Sequence, residues 1–155
     1  MLSFTITLLE PEIPPNTGNI ARLCAATGAS LELVGRLGFK IDDKAVRRAG
    51  LDYWDQVDLI RVEALDSLME NLDPDRIHLF TTKTTKRYWE ARYNPGDRLI
   101  FGPETRGIDE IWLNRYKGRL VTVPQWPGRV RSLNLSNVAA LGLYEALRQN
   151  QGLIP

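Results

Sequence analysis

Leu2-Ser3-Phe4-Thr5-Ile6-Thr7-Leu8-Leu9, then Glu10-Pro11-Glu12-Ile13-Pro14-Pro15, then Asn16-Thr17-Gly18-Asn19-Ile20-Ala21-Arg22-Leu23-Cys24 open the chain as an apolar run, a proline-rich break and a helical pattern. The first run, rich in Ile, Leu, Thr and Phe, reads as a strand. Pro11, Pro14 and Pro15 then hold off an immediate helix and force a loop at the strand's exit. Asn16 or Thr17 caps the helix that follows, which carries Ile20, Leu23, Cys24 and Thr27 at i, i+3, i+4 and i+7 and has Gly28 placed to end it.

The same alternation continues outward from this unit. Residues 31–34 read as a second strand, followed by a charged stretch with Val46, a turn at Gly50, a weak strand at 57–60 and a helix at 64–70. A strand at 77–81, a turn at Asn94-Pro95-Gly96-Asp97, a strand at 98–101, a helix at 108–113 and a strand at 119–123 come next. A last helix over about 136–149 puts Ala140, Leu143, Tyr144 and Leu147 on one face. Strands and helices alternating in this way predict an α/β fold, a mostly parallel sheet flanked by helices, with ligands beyond the carboxyl ends of the strands. No internal repeat or Ser/Gly linker interrupts the 155 residues, so residues 1–155 read as one domain.

Composition narrows the class. With 43% hydrophobic and 25% charged residues, and no apolar stretch near the ~20 residues that span a bilayer, the chain reads as soluble and without a membrane partner. Met1-Leu2-Ser3-Phe4-Thr5 lacks the basic and apolar regions of a secretory signal, which predicts a cytoplasmic protein. The single cysteine, Cys24, excludes an intramolecular disulfide and reads as a small buried hydrophobe. One histidine, His78, and no Cys or His cluster predict no metal site. A net charge of +1 is too mild to argue for nucleic acid by itself. Lys83, Lys86 and Arg87 beside Tyr88 and Trp89, Arg47 beside Arg48, and Arg129 and Arg131 fit either a phosphate- and base-gripping surface or ordinary solvated charge.

Three polar segments fall at strand ends. Gly102-Pro103-Glu104-Thr105-Arg106-Gly107 has the glycine spacing of a phosphate-binding loop, but Ile108-Asp109 replaces the Lys-Ser/Thr that such a loop needs. What survives is a tight turn whose glycines permit close backbone approach and whose Glu104 can accept hydrogen bonds from a loop or helix start. Asn16 and Arg22 bracket the first helix's start; the Arg22 fork suits a bidentate phosphate contact or a plain surface salt bridge. In Ser132-Leu133-Asn134-Leu135-Ser136-Asn137, Ser136 caps the last helix, leaving Ser132 and Asn134 for other work and Leu133 and Leu135 to press on an apolar ligand.

Together with Leu9-Glu10-Pro11-Glu12-Ile13-Pro14-Pro15-Asn16-Thr17-Gly18-Asn19 and Arg47-Arg48-Ala49-Gly50-Leu51-Asp52-Tyr53, these segments resemble the signature motifs of the SPOUT superfamily of RNA methyltransferases, in its 2′-O-methylating branch, over nearly the whole chain. Within that branch the resemblance is to the bacterial enzymes of tRNA cytidine or uridine 34. It implies a C-terminal trefoil knot and an S-adenosylmethionine pocket lined by Gly102, Val123 and Ser132 through their backbones, with Leu133 beneath the adenine and Phe80 nearby. It implies a homodimer, with Arg22 of one subunit approaching the cofactor of the other. The implied substrate is the anticodon loop of tRNA, leucine tRNAs by family resemblance, and unstacked bases suit a protein without a separate RNA-binding domain.

The implied reaction is in-line attack of a ribose 2′-oxygen on the donor methyl, where positioning supplies much of the acceleration. An arginine acting as base near neutrality would need its pKa lowered by about six units, roughly 8 kcal/mol. The better assignment has Arg22 orienting the 2′-hydroxyl and an adjacent phosphate, Asn16 and Asn134 holding the loop and the ribose, and Glu104 bracing the knot. Gln125-Trp126-Pro127-Gly128-Arg129-Val130 departs from the Pro-Met type segment of relatives, and Trp126 there either shields the cofactor or stacks a base. The rival readings are 2′-O-methylation of another tRNA position or of rRNA, a non-catalytic RNA-binding knot protein, and a small-molecule α/β enzyme.

Overall fold

The computed structural model describes residues 3–41, 44, 48 and 53–154. Val46, Gly50 and most of the stretch 47–52 lie outside the described residues. The strands are β1 (Thr5–Leu9), β2 (Ser30–Val34), β3 (Leu59–Val62), β4 (Ile77–Phe80), β5 (Arg98–Phe101) and β6 (Leu120–Val121), and the helices used below are α1 (Pro14–Thr27), α2 (Leu65–Glu70), α3 (Glu110–Arg115) and α4 (Leu135–Gln149). The strands form one sheet in the order β3-β2-β1-β5-β4-β6, every pairing parallel.

A parallel sheet must be covered on both faces, and the inner strands accordingly read as near-continuous apolar runs. On one side Phe4, Ile6, Leu8, Leu31, Leu33, Leu99 and Phe101 pack with Ile20 and Cys24 of α1 and Leu143 and Leu147 of α4. On the other, Val34, Leu79 and Ile100 pack with Met69 of α2 and Trp112 and Leu113 of α3. α4 lies close on the sheet because Gly142 lacks a side chain: a Cβ there would meet Phe80 Cζ at 2.6 Å.

The order of strands reverses beside β1. The chain steps from β1 to β2 and β3 on one side, and β5, β4 and β6 fill the other. The loops leaving β1 and β5 therefore flank a topological switch point, where ligands of open α/β sheets bind.

Four local expectations are corrected. α1 begins at Pro14, so Asn16 is buried inside its first turn and neither it nor Thr17 is the cap. Prolines at the first helical positions lack only N–H groups that would have no helical partner, and their fixed φ starts the helix instead of delaying it. The cap of α4 is Asn134, whose Oδ1 accepts from the Ser136 and Asn137 amides, so Ser136 belongs to the helix. The buried face of α4 is Ala139, Gly142, Leu143, Ala146 and Leu147, while Tyr144 is exposed. β6 spans only Leu120–Val121, extended by an isolated bridge between Arg87 and Thr122.

Candidate functional site

Three loops, leaving the carboxyl ends of β1, β5 and β6, meet at the same edge of the sheet. The turn after β5 is shaped by glycine: the Gly107 amide donates to the Pro103 carbonyl at 2.8 Å, and Gly107 has φ 70°, a left-handed backbone suited to that residue. Gly102 passes so near the turn's far end that a Cβ would lie 2.3 Å from Gly107 C and Ile108 N.

The loop after β1 is clasped to this turn in both directions. Glu104 accepts from the Glu12 amide at 2.9 Å and the Ile13 amide at 2.6 Å, while Glu12 accepts from the Thr105 amide at 3.0 Å and the Thr105 hydroxyl at 2.7 Å. The Thr105 hydrogen bonds hold the Glu12 carboxyl below its ordinary pKa. Further out, Glu10 accepts from Arg106 at 2.7 Å.

The third loop joins through side-chain amides. Asn134 Nδ2 donates to Asn16 Oδ1 at 3.0 Å, and Asn16 Nδ2 donates to Glu104 at 3.3 Å. Because Asn134 Oδ1 is already taken by the start of α4, the orientation of both amides is fixed along the chain Asn134, Asn16, Glu104.

Between these loops lies a cavity of about 420 Å³, within the roughly 300–1,000 Å³ usual for small-molecule sites. Phe80, Gly102, Val123, Ser132 and Leu133 all line it, as do Asn16, Glu104 and Asn134. Phe80 stacks on Phe101, ring centroids 4.6 Å apart, which makes one wall flat and apolar. Lys83, Arg106 and Arg131 bring positive charge to the lining. The sequence signal for Arg106 is only its place within the glycine-bearing segment, whereas Arg131 already belongs to the basic set beside the asparagine-bearing one.

Arg22 is not brought to this cavity. It is exposed further along α1, with its guanidinium carbon 5.1 Å from the centre of the Tyr53 ring. Cys24 is buried and burial pushes its thiol up to about 12, leaving no reactive thiolate. His78 is buried against Asp97, Nε2 to Oδ2 2.9 Å, at the opposite ends of the strands from the cavity-forming loops. In the basic-aromatic segment Lys83 pairs with Glu110 at 3.0 Å and Arg87 sits 5.8 Å from the Trp89 ring centre. Among the described residues no group of His, Cys, Asp and Glu could hold a metal ion, and no helix is long and apolar enough to cross a membrane.

The pattern of the SpoU rRNA methylase family matches residues 3–144. The chain belongs to that family. This SpoU-family chain is 46% identical over 147 residues to the tRNA (cytidine(34)-2′-O)-methyltransferase of Saccharophagus degradans, covering 94% of this chain and 95% of the relative. A solved structure described as "Structural insights into the 2-OH methylation of C/U34 on tRNA" superposes with a TM-score of 0.89 at 41% identity, covering 97% of this chain and 98% of that one. The SpoU methyltransferase AviRb from Streptomyces viridochromogenes, solved in complex with the cofactor AdoMet, superposes with a TM-score of 0.82 at 24% identity over 98% of this chain and 62% of that one. The last is a likeness of fold.

Proposed function

We propose that this SpoU-family chain is an S-adenosylmethionine-dependent tRNA 2′-O-methyltransferase that modifies the ribose of the wobble nucleotide, position 34. The observation that carries the reading is the convergence of three loops, separate in sequence, on one cavity at the switch point of a parallel sheet. The name of the 46% identical relative and the subject of the 41% identical structure support the substrate.

The cavity suits the cofactor. Phe80, Val123 and Leu133 offer an apolar bed for an adenine, and the loop backbone at Gly102, Val123 and Ser132 offers the directional hydrogen bonds that fix a small ligand. S-adenosylmethionine supplies a methyl group on a sulfonium. The chain's own residues do the positioning: Asn16 and Asn134 hold the loop edge and the ribose, and Glu104 braces the loops against each other.

Arg22 lies outside the cavity of its own chain, which fits a homodimer in which it reaches the partner's site and orients the 2′-hydroxyl and a neighbouring phosphate through its fork. Leu141 and Tyr144, both exposed on α4, give such a dimer apolar surface to bury. The trefoil knot implied by the SPOUT fold is assigned to the C-terminal half of the chain, as the family resemblance implies. Residues 1–155 act as one cytoplasmic domain, with the anticodon loop of leucine tRNAs as substrate by family resemblance.

Mapping 2′-O-methylated nucleotides in total RNA from cells with and without this chain tests the proposal. Loss confined to nucleotide 34 is expected. Loss at another tRNA position or in rRNA would reassign the substrate, and no loss anywhere would remove the activity.

A further inference from the structure

Residues 125–131 form a loop at the cavity's rim that the proposed chemistry does not use. Gln125 closes it: its amide Nε2 donates to the Val130 carbonyl at 2.9 Å and to the Arg131 carbonyl at 3.3 Å, bridging the loop's two ends. Arg131 ties the loop to the turn after β5 by donating to the Thr105 carbonyl. Pro127 stiffens its outer arc, and Gly128, at φ 74°, turns it back.

Trp126 stands on that arc, 81% exposed. A lone exposed tryptophan is common. This one is held in a fixed loop, and both residues that anchor the loop, Gln125 and Arg131, line the cavity while Trp126 does not. It is therefore beside the site and not a wall of it. Arg129 and Arg131, in the same loop, are also exposed.

We infer that Trp126 is a stacking platform for an unpaired RNA base next to the nucleotide whose ribose enters the cavity. The inference rests on the RNA-methylating reading above and adds a substrate contact to it. A rigid indole offers any base a π-face, and flanking arginines attract the phosphates of the same strand, the combination used by proteins that hold single-stranded nucleic acid. Because the loop is already closed by Gln125, little ordering entropy is lost when a base lands on it.

The test compares wild type, Trp126→Phe and Trp126→Ala for binding of an anticodon stem-loop RNA, binding of S-adenosylhomocysteine and methyl transfer. Stacking predicts that Trp126→Ala weakens RNA binding about 5- to 150-fold, raising KM more than it lowers kcat, while Trp126→Phe keeps most of the affinity. S-adenosylhomocysteine binding should be unchanged in both variants. RNA affinity within twofold of wild type for Trp126→Ala would overturn the inference and leave the methyltransferase reading intact. Weakened S-adenosylhomocysteine binding would overturn it in favour of a cofactor shield. A wild-type protein that neither binds nor methylates the RNA would remove the underlying reading and the inference with it.

Discussion

Asn134 Nδ2 donates to Asn16 Oδ1 at 3.0 Å across 118 positions of sequence. Through Asn16 the link reaches Glu104, and through Asn134 it reaches the first turn of α4, so the three loops around the cavity share one hydrogen-bonded chain. Removing Asn134 costs the α4 cap, about 1 kcal/mol, and also leaves the buried Asn16 amide short of a partner. Urea unfolding of Asn16→Ala, Asn134→Ala and the double variant should give a coupling energy of about 0.5–3 kcal/mol. Strict additivity would mean that the two amides do not act together.

Gly102→Ala is expected to disable the site. The new methyl would lie 2.3 Å from backbone atoms of Gly107 and Ile108, and backbone cannot swing aside as a flexible side chain can. Overpacking of this kind costs about 1–3 kcal/mol and here displaces the turn that carries Glu104. Calorimetry should find S-adenosylhomocysteine binding weakened at least tenfold. Unchanged binding would show that the close approach of the turn is dispensable.

Arg22→Lys separates charge from fork geometry. Lysine keeps the positive charge but cannot present two parallel donors to a phosphate. Because the proposed targets of the fork are the 2′-hydroxyl and a phosphate of the RNA and not the cofactor, S-adenosylhomocysteine binding should be preserved while turnover falls at least tenfold. Near-normal turnover in the lysine variant would contradict the proposed orienting role.

His78 sets an acid limit on stability. Burial lowers its pKa from the ordinary 6.5, against the opposing pull of the hydrogen-bonded Asp97 carboxylate. The unfolded chain then binds more protons than the folded one between the lowered value and about 6.5, so this group's contribution to stability declines as pH falls below about 6.5. Urea midpoints followed from neutral pH downward should decline in wild type and decline less in His78→Phe. Parallel curves for the two proteins would exclude His78 as the source.

The parts of the fold written in local sequence were legible. Apolar runs ending in glycine, proline or asparagine gave the strands and the segments at their ends, and β5 lies at the expected 98–101. The order of the strands was not legible, because a repeating β-α pattern does not say which side of β1 each later strand joins. The caps differ from expectation for a chemical reason: Asn and Ser are good caps in isolation, yet Pro14 is better placed to begin α1, and Asn134 caps α4 two positions before Ser136. Tyr144 looked like core at helical spacing, but the close fit of Gly142 on Phe80 rotates α4 so that the tyrosine faces solvent. At the site, the residue types at Asn16, Glu104 and Asn134 flagged polar work, whereas their partners are 88 to 118 positions away and only folding reveals them.

Methyl transfer to two tRNA transcripts, one with a ribose and one with a 2′-deoxyribose at position 34, decides whether the wobble 2′-hydroxyl is the methyl acceptor. About one methyl group should be incorporated per ribose-bearing transcript and none in its deoxy counterpart. Equal incorporation into both would contradict that assignment.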